Sequence, residues 1–205
     1  MKKYYVFAFA LALSLVCAAL SNINVKATGA DDSPSAGAVG STVADFKLPD
    51  VDGNDHSLAA SKGKYATVLI FIGVQCPVSN AYNERMEKLA QDYKARGINV
   101  IGINANSTES ATDVKAHAAS HNLTFLILKD NGNKLADALG AAHTPEAYVL
   151  DASNKIIYRG RIDNAKEAAR ATTSELRDAM DAVLAGKAVA KSSVPAFGCS
   201  IKRAE

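Results

Sequence analysis

The chain has 205 residues, 48% of them hydrophobic, 21% charged and 6% aromatic, with 13 glycines and 5 prolines. That composition excludes a disordered, collagen-like or low-complexity protein. With 23 Lys and Arg against 21 Asp and Glu, there is no basic field of the kind that binds nucleic acid.

Met1-Lys2-Lys3 is a short positive start, and residues 4–20 carry no charge. These are the n-region and h-region of a secretory signal. Val25-Lys26-Ala27 offers acceptable residues before a cut, so a signal peptide over 1–27 with cleavage after Ala27 is expected. The alternative is a retained anchor, but the apolar stretch is shorter than the about 20 residues a spanning helix prefers. Cleavage leaves 20 basic against 21 acidic residues. It also leaves two cysteines, Cys76 and Cys199, in a periplasmic or extracellular setting where disulfides persist. No later segment is apolar enough to span a membrane, so the mature form is expected to lack one.

Residues 28–42 are mostly small and polar and read as a flexible lead-in. Residues 43–186 carry a dense pattern, the size of one domain. Phe46-Lys47-Leu48 with the Val51-Asp52-Gly53-Asn54 turn suggests a short extended piece. Ala66 to Ile72 is a continuous β-rich run, as in a strand buried on both faces. Tyr82, Met86, Leu89 and Tyr93 then share one face of a helix, which Gly97 ends. Strands at 98–103 and 125–128 alternate with helices at 108–120 and 135–139. Residues 147–150 and 156–158 form a hairpin around Ala152-Ser153-Asn154-Lys155. A last helix shows a capping box of Thr172 with Glu175 and an apolar face of Leu176, Met180, Val183 and Leu184. Residues 187–205 are a tail bearing Cys199. The order predicts an α/β fold with a mixed central sheet and helices on both faces.

Gly73-Val74-Gln75-Cys76-Pro77-Val78-Ser79-Asn80 joins the buried strand to the helix. Pro77 fits a first helical turn, which places Cys76 at the helix start. Unpaired N–H groups and the positive end of the helix dipole favour a thiolate there. Ser79 lies one turn on, and its hydroxyl can reach the sulfur. A C-x-x-S motif forms no local disulfide. The alternative for Cys76 is a buried structural cysteine. Thr144-Pro145 marks a turn before an apolar strand, and the dipeptide alone favours the trans form.

These pieces, in this order, resemble the thioredoxin superfamily in its peroxiredoxin-like redoxin branch, the alkyl hydroperoxide reductase and thiol-specific antioxidant type. The carriers are Asp45 to Asp50, the strand into Cys76-Pro77-Val78-Ser79, Gly102 to Asn106, His143 to Asp151, Tyr158 to Asp163 and Gly198 to Lys202. The resemblance implies a thioredoxin-like fold. It implies that Cys76 is the redox nucleophile and that Pro145, after Thr144, is cis and packs beside the sulfur. Two positions depart from the pattern. Ser79 stands where thioredoxins carry a second cysteine. Gly73 stands where peroxiredoxins carry Thr or Ser, with Leu69 where their proline would be.

The reading is an exported thiol oxidoreductase in which Cys76 attacks a peroxide or a disulfide, with an external thiol as reductant. Cys199 is the one other mature cysteine and a candidate to resolve Cys76; the alternatives are a surface thiol or an intermolecular disulfide. The rival is a non-enzymatic binding module for a metal, a haem-handling partner or a client protein. His117 and His121 share a metal-compatible i, i+4 spacing without a carboxylate partner, so no metal or other cofactor is expected. His143 is placed to approach Cys76. Arg159, Arg161 and Asp163 read as a surface ion-pair set, and Asn104 and Asn106 as loop caps at the site-bearing edge.

Overall fold

The computed structural model describes residues 37–204. The expected signal peptide and most of the lead-in lie outside the described residues. The elements in chain order begin with β1 (Lys47–Pro49), β2 (Asp55–Ser57), α1 (Leu58–Ser61), β3 (Ala66–Ile72) and α2 (Pro77–Asn80). Next come α3 (Asn83–Lys94), β4 (Ile98–Asn104), α4 (Ala111–Ser120), β5 (Leu126–Lys129) and α5 (Lys134–Leu139). The last are β6 (His143–Thr144), β7 (Glu146–Asp151), β8 (Ile156–Gly160), α6 (Glu175–Leu184) and β9 (Cys199–Ser200).

The central sheet runs β5-β4-β3-β7-β8. β3, β4 and β5 are parallel, β7 is antiparallel to β3, and β8 closes the hairpin. This is the mixed sheet that the order of elements predicts. Every residue of β3 is buried, because both faces are covered. Val68, Ile70 and Ile72 join Met86, Leu89 and Tyr93 of α3 and Leu176 and Met180 of α6 in one core. Leu69 and Phe71 face the other way, into a core with Leu58, Leu135, Leu139 and Ile201. Ile201 belongs to the tail, so the chain's last segment is part of the packed structure.

Four local expectations are corrected. The helix after Cys76 is two pieces, α2 and α3, because the chain tightens at Ala81 and Tyr82, where the Tyr82 N–H reaches the Ser79 carbonyl at 2.9 Å. The Tyr82 hydroxyl is drawn to the Asp163 carboxylate and the Ala165 carbonyl, each at 2.8 Å. The Thr172–Glu175 capping box does not form. Glu175 pairs with Arg161, the Thr172 hydroxyl pairs with Asn164, and α6 starts after Ser174. The capping box is at Ser110 and Asp113, so α4 begins at Ala111 rather than near Thr108. Residues 37–42, expected to belong to the flexible lead-in, lie along the β7–β8 hairpin. There the Gly40 N–H donates to the Ile156 carbonyl at 2.8 Å and the Ile156 N–H to the Ser41 carbonyl at 2.9 Å.

Arg159, Arg161 and Asp163 do not pair with one another. Their partners are Glu146, Glu175 and Arg85, which tie β8 and the segment after it to β7, α6 and α3. β8 ends at Gly160, so Arg161 and Asp163 lie beyond the strand and its alternation does not hold the three side chains on one face.

Candidate active site

β3 ends at Ile72 on the carboxyl edge of the sheet, and the loop after it is held at every turn. Glu109, 2% exposed, accepts the N–H groups of Val74 at 3.0 Å and Gln75 at 2.8 Å. The Asn104 amide donates to the same carboxylate at 2.5 Å. The Asn80 amide donates to the Val74 carbonyl at 2.9 Å. These bonds satisfy loop groups that the sheet leaves unpaired, and they fix the cysteine that follows.

Cys76 is the N-cap of α2, with Pro77 inside the first turn. The residue is 3% exposed, and its sulfur accepts the Ser79 N–H at 3.2 Å. The helix that it introduces has four residues, so this direct bond, not a long helix dipole, is what favours the thiolate. The Ser79 hydroxyl is not turned to the sulfur as expected: its Oγ accepts the Gly73 N–H at 3.1 Å and ties the loop to the helix.

The Thr144–Pro145 peptide is cis, and both residues are buried. The Thr144 carbonyl lies 3.1 Å from the Cys76 sulfur. The Thr144 hydroxyl is buried with no hydrogen-bond partner. Beside it, a Cβ built on Gly73 would lie 2.8 Å from the Asn106 amide nitrogen, 3.0 Å from the Thr144 hydroxyl and 3.2 Å from the Cys76 Cβ. The Thr144 and Asn106 side chains thus occupy the space that a hydroxyl-bearing residue at position 73 would need.

β9 lies antiparallel to β6, with Cys199 opposite Thr144 and Ser200 opposite His143. That register sets the Cys199 sulfur 2.6 Å from the Cys76 sulfur, across 123 residues of sequence. Gly198 makes the approach possible, since a Cβ there would lie 2.1 Å from the Thr144 carbonyl oxygen. Burial pushes the Cys76 thiol up, but the bonds from Cys199 and from the Ser79 N–H outweigh it and hold Cys76 below the ordinary thiol range. Burial and the neighbouring Cys76 push Cys199 above that range. The pair therefore releases its first proton early and its second late.

The AhpC/TSA family profile matches residues 39–159, more than half of the chain. The chain belongs to the AhpC/TSA family. A relative named thiol-disulfide oxidoreductase ResA, from Geobacillus thermodenitrificans, is 30% identical over 122 residues, 60% of this chain and 68% of that protein. A chloroplastic peroxiredoxin Q of Sedum lineare is 31% identical over 140 residues, 62% of this chain and 72% of that protein. The crystal structure of a hypothetical protein from Sinorhizobium meliloti 1021 superposes with a TM-score of 0.76. It is 36% identical and covers 82% of this chain and 95% of its own. This AhpC/TSA protein has the thioredoxin-like fold, and it is a thiol oxidoreductase.

The structure brings together Cys76, Thr144, Pro145 and Cys199, with Ser79 behind them. His143 is half-buried in β6, and its backbone N–H is bound by Glu146 at 3.2 Å. It makes no hydrogen bond to the Cys76 sulfur. His117 and His121 stack at 4.1 Å between ring centroids, and the His117 ring meets the Asn83 amide at 3.0 Å. Among the described residues, no group of three or more His, Cys, Asp or Glu side chains could hold a metal. Sequence reasoning missed Glu109. Its signal was weak, an acid beside the Ser110 that caps α4, and nothing in the sequence pairs it with a loop 34 residues earlier.

Proposed function

We propose that this protein is an exported thiol–disulfide oxidoreductase in which Cys76 is the nucleophile and Cys199 resolves it. The observation that carries the reading is the 2.6 Å approach of the two sulfurs, set by pairing between β6 and β9. The Cys76 thiolate attacks a substrate disulfide, forming a mixed disulfide and expelling one substrate thiolate. Cys199, once deprotonated, attacks the Cys76 sulfur and expels the second. The substrate gains two electrons, and the protein holds a Cys76–Cys199 disulfide. Two equivalents of an external thiol return the protein to the dithiol. The charged start and apolar residues 4–20 support export to a compartment where such substrates persist.

Peroxide is the second reading, favoured by the likeness to a peroxiredoxin Q. There the Cys76 thiolate takes one peroxide oxygen to become a sulfenic acid, and the other oxygen leaves as an alcohol or water. Condensation with Cys199 then releases water. The filled space beside Gly73 weighs against it. The two are separated by feeding the dithiol protein a chromogenic disulfide or hydrogen peroxide under an excess of external thiol. Disulfide turnover is expected, with peroxide consumed no faster than by a Cys76→Ser protein. Faster turnover of peroxide than of disulfide would reverse the preference, and turnover of neither would return the protein to the class of binding modules.

A further inference from the structure

The tail does more than carry a cysteine to the site. From Ile201 to Ala204 its backbone is held by groups that lie elsewhere in the chain. The Ile201 N–H donates to the Ala142 carbonyl at 3.0 Å. The Asn106 side-chain oxygen accepts the Lys202 N–H at 2.8 Å. The Ser107 N–H donates to the Lys202 carbonyl at 2.9 Å, and the Ser107 hydroxyl to the Arg203 carbonyl at 2.9 Å. Asn133 clamps both sides: its amide donates to the Lys202 carbonyl at 3.3 Å, and its oxygen accepts the Ala204 N–H at 2.7 Å.

Asn106 is 5% exposed and Asn133 is 2% exposed. A buried amide is costly unless its polar atoms are bonded; here the Asn106 oxygen and both polar ends of Asn133 bond tail backbone, and the Asn133 amide also meets the Ala105 carbonyl beside β4. Asn106 follows β4 and Asn133 precedes α5, so the two hold the tail from two separate loops at the carboxyl edge of the sheet. Both read main-chain atoms only, and so they fix the tail's register rather than select its side chains. That register is what aligns Cys199 with Thr144 and sets its sulfur on Cys76.

We infer that Asn106 and Asn133 are positioning residues that set the thiol–disulfide equilibrium of the Cys76–Cys199 couple by clamping the tail backbone. An intramolecular disulfide is favoured in proportion to the effective concentration of one sulfur at the other. Clamping the tail raises that concentration, and releasing it makes the disulfide easier to reduce. This role rests on the exchange reading above.

The test is the equilibrium constant of the full-length mature protein against reduced and oxidised glutathione, read by mass spectrometry of the trapped Cys76–Cys199 peptide. Asn133→Ala is expected to lower the constant about tenfold, the scale of one lost buried hydrogen bond. A chain ending at Ile201, which keeps both asparagines and removes what they hold, is expected to lower it at least as much. Adding Asn133→Ala to that shortened chain should lower it no further, because the tail partners are already gone and the remaining bond to the Ala105 carbonyl does not touch the tail. A second full loss in the shortened chain would mean that Asn133 acts elsewhere and would overturn the clamp. So would an unchanged constant in Asn133→Ala or, if that variant does not fold, in the shortened chain alone. A wild-type protein that forms no Cys76–Cys199 disulfide at any glutathione ratio overturns the exchange reading, and this role with it.

Discussion

A Cys199→Ser protein should stop after the first chemical step. Cys76 keeps its loop and the bond from the Ser79 N–H, so it still attacks a substrate disulfide. The mixed disulfide then has no sulfur beside it to expel the substrate. It accumulates to one equivalent and is visible as a mass adduct on the Cys76 peptide. Steady-state turnover falls by roughly a hundredfold or more, because resolution now waits for a collision with external thiol rather than a neighbour in place. Cys76→Ser should be inert at both steps, with turnover lower by about 10³-fold or more and no adduct, since an alcohol is not ionised near neutral pH. Adduct on the Cys199 peptide in place of Cys76 would reverse the two assignments.

Gly198→Val should separate the tail from the site without touching either sulfur. The new Cβ would lie 2.1 Å from the Thr144 carbonyl oxygen and 2.8 Å from its carbon, and both are backbone atoms. Thr144 is 1% exposed and cannot retreat, so β9 must lift from β6. The lost ladder bonds and the freed Ile201 side chain cost about 1–3 kcal/mol of stability, measured by urea denaturation. Oxidised glutathione should no longer drive the Cys76–Cys199 disulfide to completion, and Cys76 should react with a bulky maleimide that the docked tail excludes. Gly53→Ala is the comparison. Gly53 also has a positive φ of 86°, but no atom lies within 4 Å of the added carbon. It should lose only the backbone contribution of about 1 kcal/mol and keep full disulfide formation.

What the sequence disclosed follows from the range of the forces involved. β3 was legible because Ala66 to Ile72 is apolar throughout, which a strand covered on both faces requires. Cys76 was legible because Pro77 marks a helix start locally. The hairpin of β7 and β8 declared itself by its turn residues. By contrast, the break between α2 and α3 depends on where the Tyr82 hydroxyl finds Asp163, 81 residues away. The capping box at Thr172 looked complete in sequence, but Arg161 had the stronger hold on Glu175, an ion pair at 2.5 Å. Cys199 could be named as the remaining thiol, yet its register on β6 rests on Gly198 and on two asparagines whose partners are backbone atoms. Backbone carries no residue code, so those contacts leave no pattern to read.

The most direct measurement is a titration of both thiols by NMR on protein labelled at the cysteine Cβ, which needs no access for a reagent. Cys76 should ionise first, below the ordinary thiol value of about 8.5, and Cys199 second, above it. Between those midpoints Cys76 is the nucleophile and Cys199 its protonated donor. As pH falls through the first midpoint, Cys76 is protonated and exchange slows. If Cys199 ionises first, or if Cys76 titrates at or above a free thiol, the sulfur at the start of α2 is not the one that attacks.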